Sequence, residues 1–225
     1  MTTVLTGREL RKSFGRTQAL RGANVSVSGG EILAVMGPSG SGKSTLLHCL
    51  GGVLRPDSGE VAFGEVRLDR LADRERSRLR RTSFGFVFQF GQLVPELPVL
   101  ENIALPLLLE GRARRAALAE AAEWAARLGL DGLWDRLPAE LSGGQVQLAA
   151  IARALVARPR VVFADEPTGA LDSVAADEVM ELLVDTVRDH DAAMIIVTHE
   201  PRVAAFADRT LIVRDGLDVQ PVGAR

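Results

Sequence analysis

The sequence has 225 residues, of which 47% are hydrophobic and 25% are charged, as in globular proteins whose core needs no disulfides. Its 27 basic and 29 acidic residues give a formal net charge of −2, which argues against an overall electrostatic attraction to nucleic acid or to an anionic membrane. Its single cysteine cannot form an intramolecular disulfide, the opening MTTVLTGREL lacks a signal-peptide pattern, and no apolar run approaches the roughly 20 residues that span a bilayer. We therefore expect a cytoplasmic protein that does not itself cross a membrane.

The first 30 residues predict a β-hairpin. Residues 3–14 and 19–30 have the character of two paired strands, with a turn near Gly15. We expect this hairpin to form an antiparallel β flap beside the core. Apolar runs farther along the chain predict core strands at Glu31–Met36, Ser83–Phe88, Arg160–Ala164 and Ala193–Val197.

Helical patterns lie between these strands. They cover residues 44–50, 113–128, 144–156 and 175–188. Nearly continuous apolar strands that alternate with helices are typical of an α/β fold with a mainly parallel sheet, whose ligand lies at the carboxyl ends of the strands. We predict a single domain over residues 1–225, with a helical subdomain inserted at about residues 90–156.

The stretch GPSGSGKST, at residues 37–45, matches the phosphate-binding pattern G-x-x-x-x-G-K-[ST]. It stands between a predicted strand and a helix, as the mechanism requires. The glycines let backbone N–H groups approach the phosphates, Lys43 reaches the β and γ phosphates, and the Ser44 hydroxyl is a Mg²⁺ ligand.

Two adjacent carboxylates, Asp165 and Glu166, follow the predicted strand at Arg160–Ala164. In phosphoryl transfer, a strand-end Asp and the loop Ser or Thr hold Mg²⁺, while another group orients the nucleophile. We therefore expect one carboxylate to hold the metal and the next to polarise water. The alternative is a solvated acidic strand end, which the glycine loop disfavours.

Three further residues are placed where they could act at the same site. Gln89 and His199 each end a predicted strand, and either could contact the γ phosphate or its attacking water. Phe14 could stack on an adenine ring, although a plain core position is the alternative for this side chain.

With these motifs in this order, the chain resembles the ATP-binding cassette (ABC) transporter ATPases, over nearly all of its length. The matching pieces are GPSGSGKST, Gln89 after FGFVF, LSGGQ at residues 141–145, VVFADEP, ALD at residues 170–172, and His199 in VTHE. The segments LRRTSFGFVFQ and FVFQFGQLVPELPVLENIALPLLL further resemble the lipoprotein-release and macrolide-export type, whose ATPases serve permeases with large extracytoplasmic domains.

The resemblance implies a role for the LSGGQ loop, which contains no lysine. In this family, the loop of one subunit covers the γ phosphate of ATP held by the glycine loop of the other, so that two nucleotides lie in a head-to-tail dimer. The helix N-terminus at residues 142–144 is suited to an anion. The resemblance also implies that Glu166 is the general base and that His199 holds the γ phosphate. It further implies that Gln89 signals to the permease and that Asp172 lies at the dimer interface.

These inferences give three sets of site residues, for ATP and Mg²⁺ as cofactors. The predicted catalytic residues are Lys43, Gln89, Glu166 and His199. The predicted ATP-binding residues are Phe14, Gly37, Pro38, Ser39, Gly40, Ser41, Gly42, Lys43, Ser44, Thr45, Ser142, Gly143, Gly144 and Gln145. The predicted metal ligands are Ser44, Gln89 and Asp165.

Two positions in the helix after LSGGQ depart from the family pattern. Val146 and Leu148 stand where a Gln and an Arg are usual. The loss of that Arg puts in doubt the usual polar contacts around this helix, but neither departure removes a catalytic group.

The implied partners are an integral-membrane permease and a second copy of this chain, with no nucleic acid, at the inner face of the cell membrane. We predict that residues 90–109 border a groove for a cytoplasmic helix of the permease. The apolar cluster behind this prediction is Phe90, Leu93, Val94, Leu97 and Leu100. The Arg-rich stretch Asp73–Arg81 interleaves acids and lacks aromatics, which favours a solvated helix face over a nucleic-acid or lipid surface.

Three functions compete. The first is the energy-coupling subunit of a membrane export or release system. The second is an ATPase that drives a permease-like partner to activate a cell-wall hydrolase without transport. The third, a soluble repair or translation ATPase, predicts paired cassettes, zinc motifs, coiled-coil arms or a basic face, none of which the sequence contains.

Overall fold

The structure is a computed structural model that describes residues 2–89 and 91–219. Its strands, in chain order, are β1 (Thr3–Phe14), β2 (Thr17–Ser28), β3 (Ile32–Met36), β4 (Ser58–Phe63), β5 (Val66–Arg67), β6 (Phe84–Val87), β7 (Val161–Asp165), β8 (Ala193–Val197), β9 (Arg209–Arg214) and β10 (Leu217–Val219). Its α-helices are α1 (Lys43–Leu50), α2 (Asp73–Ser83), α3 (Val99–Leu109), α4 (Arg114–Arg127), α5 (Gly143–Leu155), α6 (Ser173–Asp189) and α7 (Pro201–Ala204). Two short 3₁₀ helices cover Leu68–Arg70 and Pro138–Glu140.

The strands form two sheets. The predicted hairpin is β1 and β2, which pair in antiparallel register and belong to a sheet with the order β2-β1-β4-β5. The larger sheet has the order β10-β9-β3-β8-β7-β6. Its strands pair in parallel register from β9 to β6, and only the edge strand β10 is antiparallel to its neighbour. All four core strands predicted from the apolar runs lie in this parallel part.

The larger sheet is buried on both faces, which explains the continuous apolar runs of its strands. On β7, Val161 and Phe163 pack in a cluster with residues of the antiparallel sheet and α1. The intervening Val162 and Ala164 pack on the opposite face, in a cluster with residues of α3 to α6. Alternate residues of one strand thus contribute to two cores.

Between β6 and β7, the described residues form α3, α4 and α5 and contain no strand. Phe90, where the predicted helical subdomain begins, lies outside the described residues, and the division into core and subdomain stays a prediction. The Arg-rich stretch forms most of α2, which contains no fully buried residue, as expected of a solvated helix.

Candidate functional site

The carboxyl ends of four parallel strands carry most of the predicted site residues, but not Phe14 or the LSGGQ loop, to one edge of the larger sheet. β3 leads into the glycine loop, β6 into Gln89, β7 ends at Asp165, and β8 leads into His199. Because β8 and β7 pair in register up to Asp165 and Val197, the carboxylates of the VVFADEP motif lie beside the residues that follow β8.

The glycine loop is packed against two neighbouring strands so closely that side chains are excluded. A Cβ at Gly37 would lie 2.0 Å from the carbonyl oxygen of Val213, and one at Gly42 would lie 2.3 Å from that of Ala19. Both glycines have positive φ values, 148° and 103°, which other residues rarely adopt. By contrast, a Cβ at Gly40 would meet nothing within 4 Å, so the loop is open on that side.

Two side chains of the loop are arranged as phosphate binding requires. The Lys43 ammonium donates hydrogen bonds to the carbonyls of Gly37 and Pro38, at 2.8 and 2.9 Å, and so lies over the loop. The Ser41 hydroxyl is buried without a hydrogen-bond partner in the described chain. A buried hydroxyl without a partner is costly, and it fits a loop that supplies hydrogen bonds to phosphate oxygens. The loop continues into α1, whose N-terminus favours an anion.

Glu166 is held in an unusual backbone conformation beside His199. Its φ is +47°, in the left-handed region, and its N–H donates to the Val197 carbonyl at 2.9 Å. One carboxylate oxygen lies 2.7 Å from Nδ1 of His199 and accepts the backbone N–H of His199 at 3.1 Å. The other oxygen accepts the Thr198 hydroxyl at 3.2 Å. Such local strain is typical of functional sites.

The electrostatics of this pair favour a charged histidine. The hydrogen bond that the His199 ring donates to Glu166, together with the negative charge of Glu166, raises the pKa of His199 above its ordinary 6.5. The His199 side chain is 73% exposed, whereas that of Glu166 is only 13% exposed. The rest of the imidazole ring is therefore accessible to a ligand at the edge of the sheet.

The LSGGQ loop is organised by its own helix. The Ser142 hydroxyl accepts the backbone N–H of Gln145 at 3.2 Å, and the Gln145 amide oxygen accepts the N–H of Ser142 at 3.0 Å. This capping box begins α5. Ser142 and Gly143 are exposed, and no hydrogen bond in the described part of the chain joins this loop to the glycine loop.

Phe14 and Asp172 have positions that narrow their predicted roles. Phe14 is 51% exposed, with the Lys12 ammonium 5.8 Å from its ring centre, so the alternative core position is wrong and base stacking stays a prediction. Asp172 accepts the backbone N–H groups of Val174 and Ala175, both at 3.0 Å, and thereby caps α6. This cap needs no second copy, and the interface role stays a prediction.

Sequence reasoning missed Gln147, which the structure places beside two of the strand-end loops. Its side-chain nitrogen donates to the Pro167 carbonyl at 2.9 Å and to the Phe88 carbonyl at 3.3 Å. The departures at Val146 and Leu148 leave apolar contacts instead, since Leu148 packs against the apolar core. The available signal was an amide on the apolar face of α5, where a polar side chain needs buried partners.

A groove of about 500 Å³ lies between β6, α2 and α3, beside the segment after Gln89. Residues that line it include Phe86, Phe88, Gln92, Leu105, Leu109 and Arg153. The predicted segment borders this groove through Gln92, Leu105 and Leu109. Of the apolar cluster proposed to form it, Leu93 and Leu100 are partly buried against the core, and neither these two nor Val94 and Leu97 line this groove. Phe90 lies outside the described residues.

The described residues contain no group of three or more His, Cys, Asp or Glu side chains that could hold a metal ion. The predicted magnesium ligands are oxygen donors of a different kind, namely a hydroxyl, an amide and one carboxylate. Magnesium is usually held by one or two carboxylates together with substrate phosphates, so this donor set fits. Across residues 2–89 and 91–219, no helix has the length and apolar character that crossing a membrane requires.

The chain is similar to a known protein family and to known proteins over most of its length. Residues 20–169 match the model of a family described as ABC transporter. The chain is 42% identical over 217 residues to the lipoprotein-releasing system ATP-binding protein LolD of Legionella pneumophila (strain Paris), covering 95% of this chain and 96% of that protein. It is 44% identical over 220 residues to the protein of the same name from Geobacter metallireducens, covering 96% and 98%.

A solved structure is also similar. It is described as a dimeric, post-hydrolysis state of the ATP-binding cassette MJ0796 bound to ADP and Pi. The TM-score is 0.91 at 35% sequence identity, and the similarity covers 98% of this chain and 100% of that chain. The predicted fold class is thereby confirmed.

Proposed function

The chain belongs to the ABC transporter family, and from that membership we propose that it is the ATP-hydrolysing subunit of a lipoprotein-release system, working through a separate membrane permease. The family and its ATPase class, predicted from the motifs, are confirmed. The proposed lipoprotein substrate rests on one observation. Nearly the whole chain is similar to ATP-binding proteins of lipoprotein-releasing systems. The same similarity disfavours the cell-wall hydrolase alternative.

The glycine loop binds the phosphates of ATP in this proposal. Its backbone N–H groups and the Ser41 hydroxyl donate to phosphate oxygens, and the Lys43 ammonium exchanges the carbonyls of Gly37 and Pro38 for the β and γ phosphates. Ser44, Gln89 and Asp165 would hold Mg²⁺, which neutralises phosphate charge when bound. The exposed ring of Phe14 stacks on the adenine base.

Glu166 and His199 divide the chemistry of hydrolysis between them. The Glu166 carboxylate accepts a proton from the attacking water, because it is the carboxylate next to the metal ligand Asp165 at the strand end. The raised pKa of His199 favours the cationic form of its imidazole, which suits a ring that contacts the γ phosphate. Their mutual hydrogen bond orients both groups before the reaction.

A second copy of the chain completes the site. The capped, exposed N-terminus of α5 presents the Ser142 hydroxyl and backbone N–H groups that an anion favours. In the proposed dimer, residues Ser142 to Gln145 of one copy cover the γ phosphate on the glycine loop of the other. The dimeric description of a solved relative supports this arrangement.

The groove beside the Gln89 segment receives a cytoplasmic helix of the permease. Leu105, Leu109 and Phe86 give the groove apolar walls, and the Leu109 side chain is 58% exposed. An amphipathic helix buries its apolar face in such a groove. Through this contact the chain is held at the inner face of the cell membrane, although none of its described helices could cross one.

The proposal is tested by co-expressing the chain with a candidate permease of the lipoprotein-release type and reconstituting the complex in liposomes that contain a fluorescent lipoprotein. ATP should release the lipoprotein to a soluble acceptor, and Glu166→Gln should prevent release. Hydrolysis without any release would instead favour the regulatory alternative.

The groove is tested in the same preparation. Leu109→Glu should abolish co-purification with the permease while ATP binding persists, because a charge in an apolar contact is costly. Val66→Glu is the matched control, since Val66 is a 40% exposed apolar residue on β5 and does not line the groove. Co-purification of the Leu109→Glu chain at the wild-type level would place the contact elsewhere.

A further inference from the structure

Gln147 has a buried side-chain amide that joins α5, the helix that begins in the LSGGQ loop, to two loops that follow core strands. It is 1% exposed, and its side-chain nitrogen donates to the carbonyls of Pro167 and Phe88. Pro167 directly follows Glu166, and Phe88 directly precedes Gln89. One amide group therefore holds the backbone directly after Glu166 and the backbone directly before Gln89.

The position of Gln147 is energetically unfavourable for packing alone. Its amide oxygen is buried and has no hydrogen-bond partner in the described chain. Its helix is otherwise apolar on this face, where Ala150, Ile151 and Ala154 are buried. An apolar side chain would avoid the cost of an unpaired buried oxygen, so the amide is best explained by what its nitrogen holds.

The Phe88 contact extends this link to the groove. The Phe88 ring lies 5.7 Å from that of Phe86, stacked at an angle of 10°, and both rings line the groove. A second side chain of α5, Arg153, donates to the carbonyls of Gly91 and Gln92, at 2.8 and 2.9 Å. Arg153 thus holds the segment after Gln89, but within the described residues it makes no hydrogen bond to the Glu166 loop.

We infer that Gln147 is a positioning residue for hydrolysis, which fixes the loop of Glu166 to the loop of Gln89 through its two donated hydrogen bonds. If Phe88, which lines the groove, is displaced, the Gln147 side chain then displaces Pro167 as well. The inference rests on the proposed role of Glu166 as general base. It assigns to α5 a function within its own subunit, besides the contact of its N-terminus with the partner copy's nucleotide.

The test substitutes Gln147→Met, which keeps the length of the side chain and removes both donated hydrogen bonds. A small misplacement of a catalytic group far from the substitution can cost about 10²-fold, so we expect kcat to fall by about tenfold or more. Because Gln147 makes no hydrogen bond to the glycine loop, ATP affinity and KM should stay within about twofold. Turnover and affinity are measured on the purified chain and on its complex with the permease, with the folded fraction followed by circular dichroism.

Thr186→Val is the matched control. The Thr186 hydroxyl is also buried without a partner in the described chain, but it lies on α6 beside Trp124 and His190, in a pocket that no residue of the Gln89 or Glu166 loops lines. This variant should retain wild-type turnover. Equal losses of kcat in the Thr186→Val and Gln147→Met chains would overturn the inference, because both would then reflect general packing.

The remaining outcomes separate the inference from the function on which it rests. If Glu166→Gln retains wild-type turnover, the assignment of the general base is wrong. If Glu166→Gln is inactive while Gln147→Met hydrolyses ATP normally, Gln147 does not position the site. A loss of ATP affinity as large as the loss of kcat would also contradict a positioning role. Should Gln147→Met fail to fold, Gln147→Leu, which also removes the amide donors and adds no buried charge, is judged by the same outcomes.

Discussion

The glycine loop at residues 37–45 is held from outside by neighbouring strands, whereas the LSGGQ loop at residues 141–145 is held by its own helix cap. Carbonyl groups of β9 and β2 approach Gly37 and Gly42 so closely that a Cβ would lie 2.0 and 2.3 Å away. A Cβ at Gly143 would have its nearest neighbour at 4.0 Å. The first loop is therefore fixed within the subunit, whereas in the second loop Gly143 is exposed and a Cβ there would make only an ordinary van der Waals contact.

This difference separates the two halves of one proposed site. A loop that is fixed by its own chain can bind phosphate in a single subunit, because its donors need no further ordering. A loop with donors at an exposed helix N-terminus can complete a site supplied by another molecule. Substitutions in the glycine loop should therefore damage the half of the site that one subunit fixes, and substitutions in the LSGGQ loop should show whether that loop contacts a partner.

The largest effect is expected at Glu166. Because positioned general bases contribute about 10²–10⁴-fold, Glu166→Gln should lower turnover by that factor while ATP binding is retained. Phosphate release and nucleotide affinity are measured on the purified chain. Glu181→Gln, a substitution at an exposed position of α6, serves as the control. Wild-type turnover in the Glu166→Gln chain would show that another group activates water.

The next effect concerns the proposed site that the glycine loop of one copy and the LSGGQ loop of the other form together. Lys43→Ala damages the glycine loop, and Ser142→Arg damages the LSGGQ loop. In a head-to-tail dimer of one chain of each kind, both lesions fall on the same site and the other site is intact. Mixing the two variants should therefore restore an ATP-dependent dimer, measured by light scattering with ATP and with ADP. If the mixture behaves like either variant alone, the two loops do not share a nucleotide.

A smaller effect distinguishes the two loops by their glycines. Gly37→Ala should destabilise the fold by about 1–3 kcal/mol, because the added methyl group overlaps the Val213 carbonyl. Gly143→Ala should leave stability within about 0.5 kcal/mol of wild type, since the methyl group would make only an ordinary van der Waals contact with Ala170. Denaturant unfolding measures both.

The same pair of variants tests the partner contact. If a second copy with its nucleotide approaches the exposed Gly143, the added methyl group should weaken the ATP-dependent dimer. The Gly143→Ala chain would then dimerise poorly despite its normal stability. A Gly143→Ala chain that dimerises as tightly as wild type would indicate that the LSGGQ backbone does not approach a ligand.

Much of this site could be predicted because its residues follow strongly apolar strands. The four core strands lie within one or two residues of the predicted positions, and parallel pairing brings their ends together. The last two strands of the larger sheet, β9 and β10, were not predicted, since β9 mixes polar and apolar residues and β10 is only three residues long. Short strands of this kind are specified by their neighbours more than by their own pattern.

Long-range contacts account for what the sequence could not predict at the site. Gln147 meets Phe88 across 59 positions of the chain, and no local pattern reports such a contact. For a similar reason, the sequence did not show which leucines of residues 90–109 line the groove. Apolarity alone does not distinguish Leu93, which packs inward, from Leu109, which is exposed.

The smallest expected effect is the pH dependence of the Glu166 and His199 pair, which belongs to the fixed half of the site. The hydrogen bond and charge of Glu166 raise the pKa of His199 above 6.5 in the folded chain. A group with a raised folded-state pKa contributes its full stabilisation below the unfolded value, and this contribution is lost as pH rises through the folded value. The thermal midpoint of wild type should therefore exceed that of His199→Gln at pH 6, and the difference should shrink toward pH 9. His190→Gln is the control, because the His190 ring contacts the carbonyl of Thr186 and no carboxylate. A difference between wild type and His199→Gln that is constant from pH 6 to pH 9 would mean that packing of the ring, and not the ion pair with Glu166, fixes His199 at the strand end.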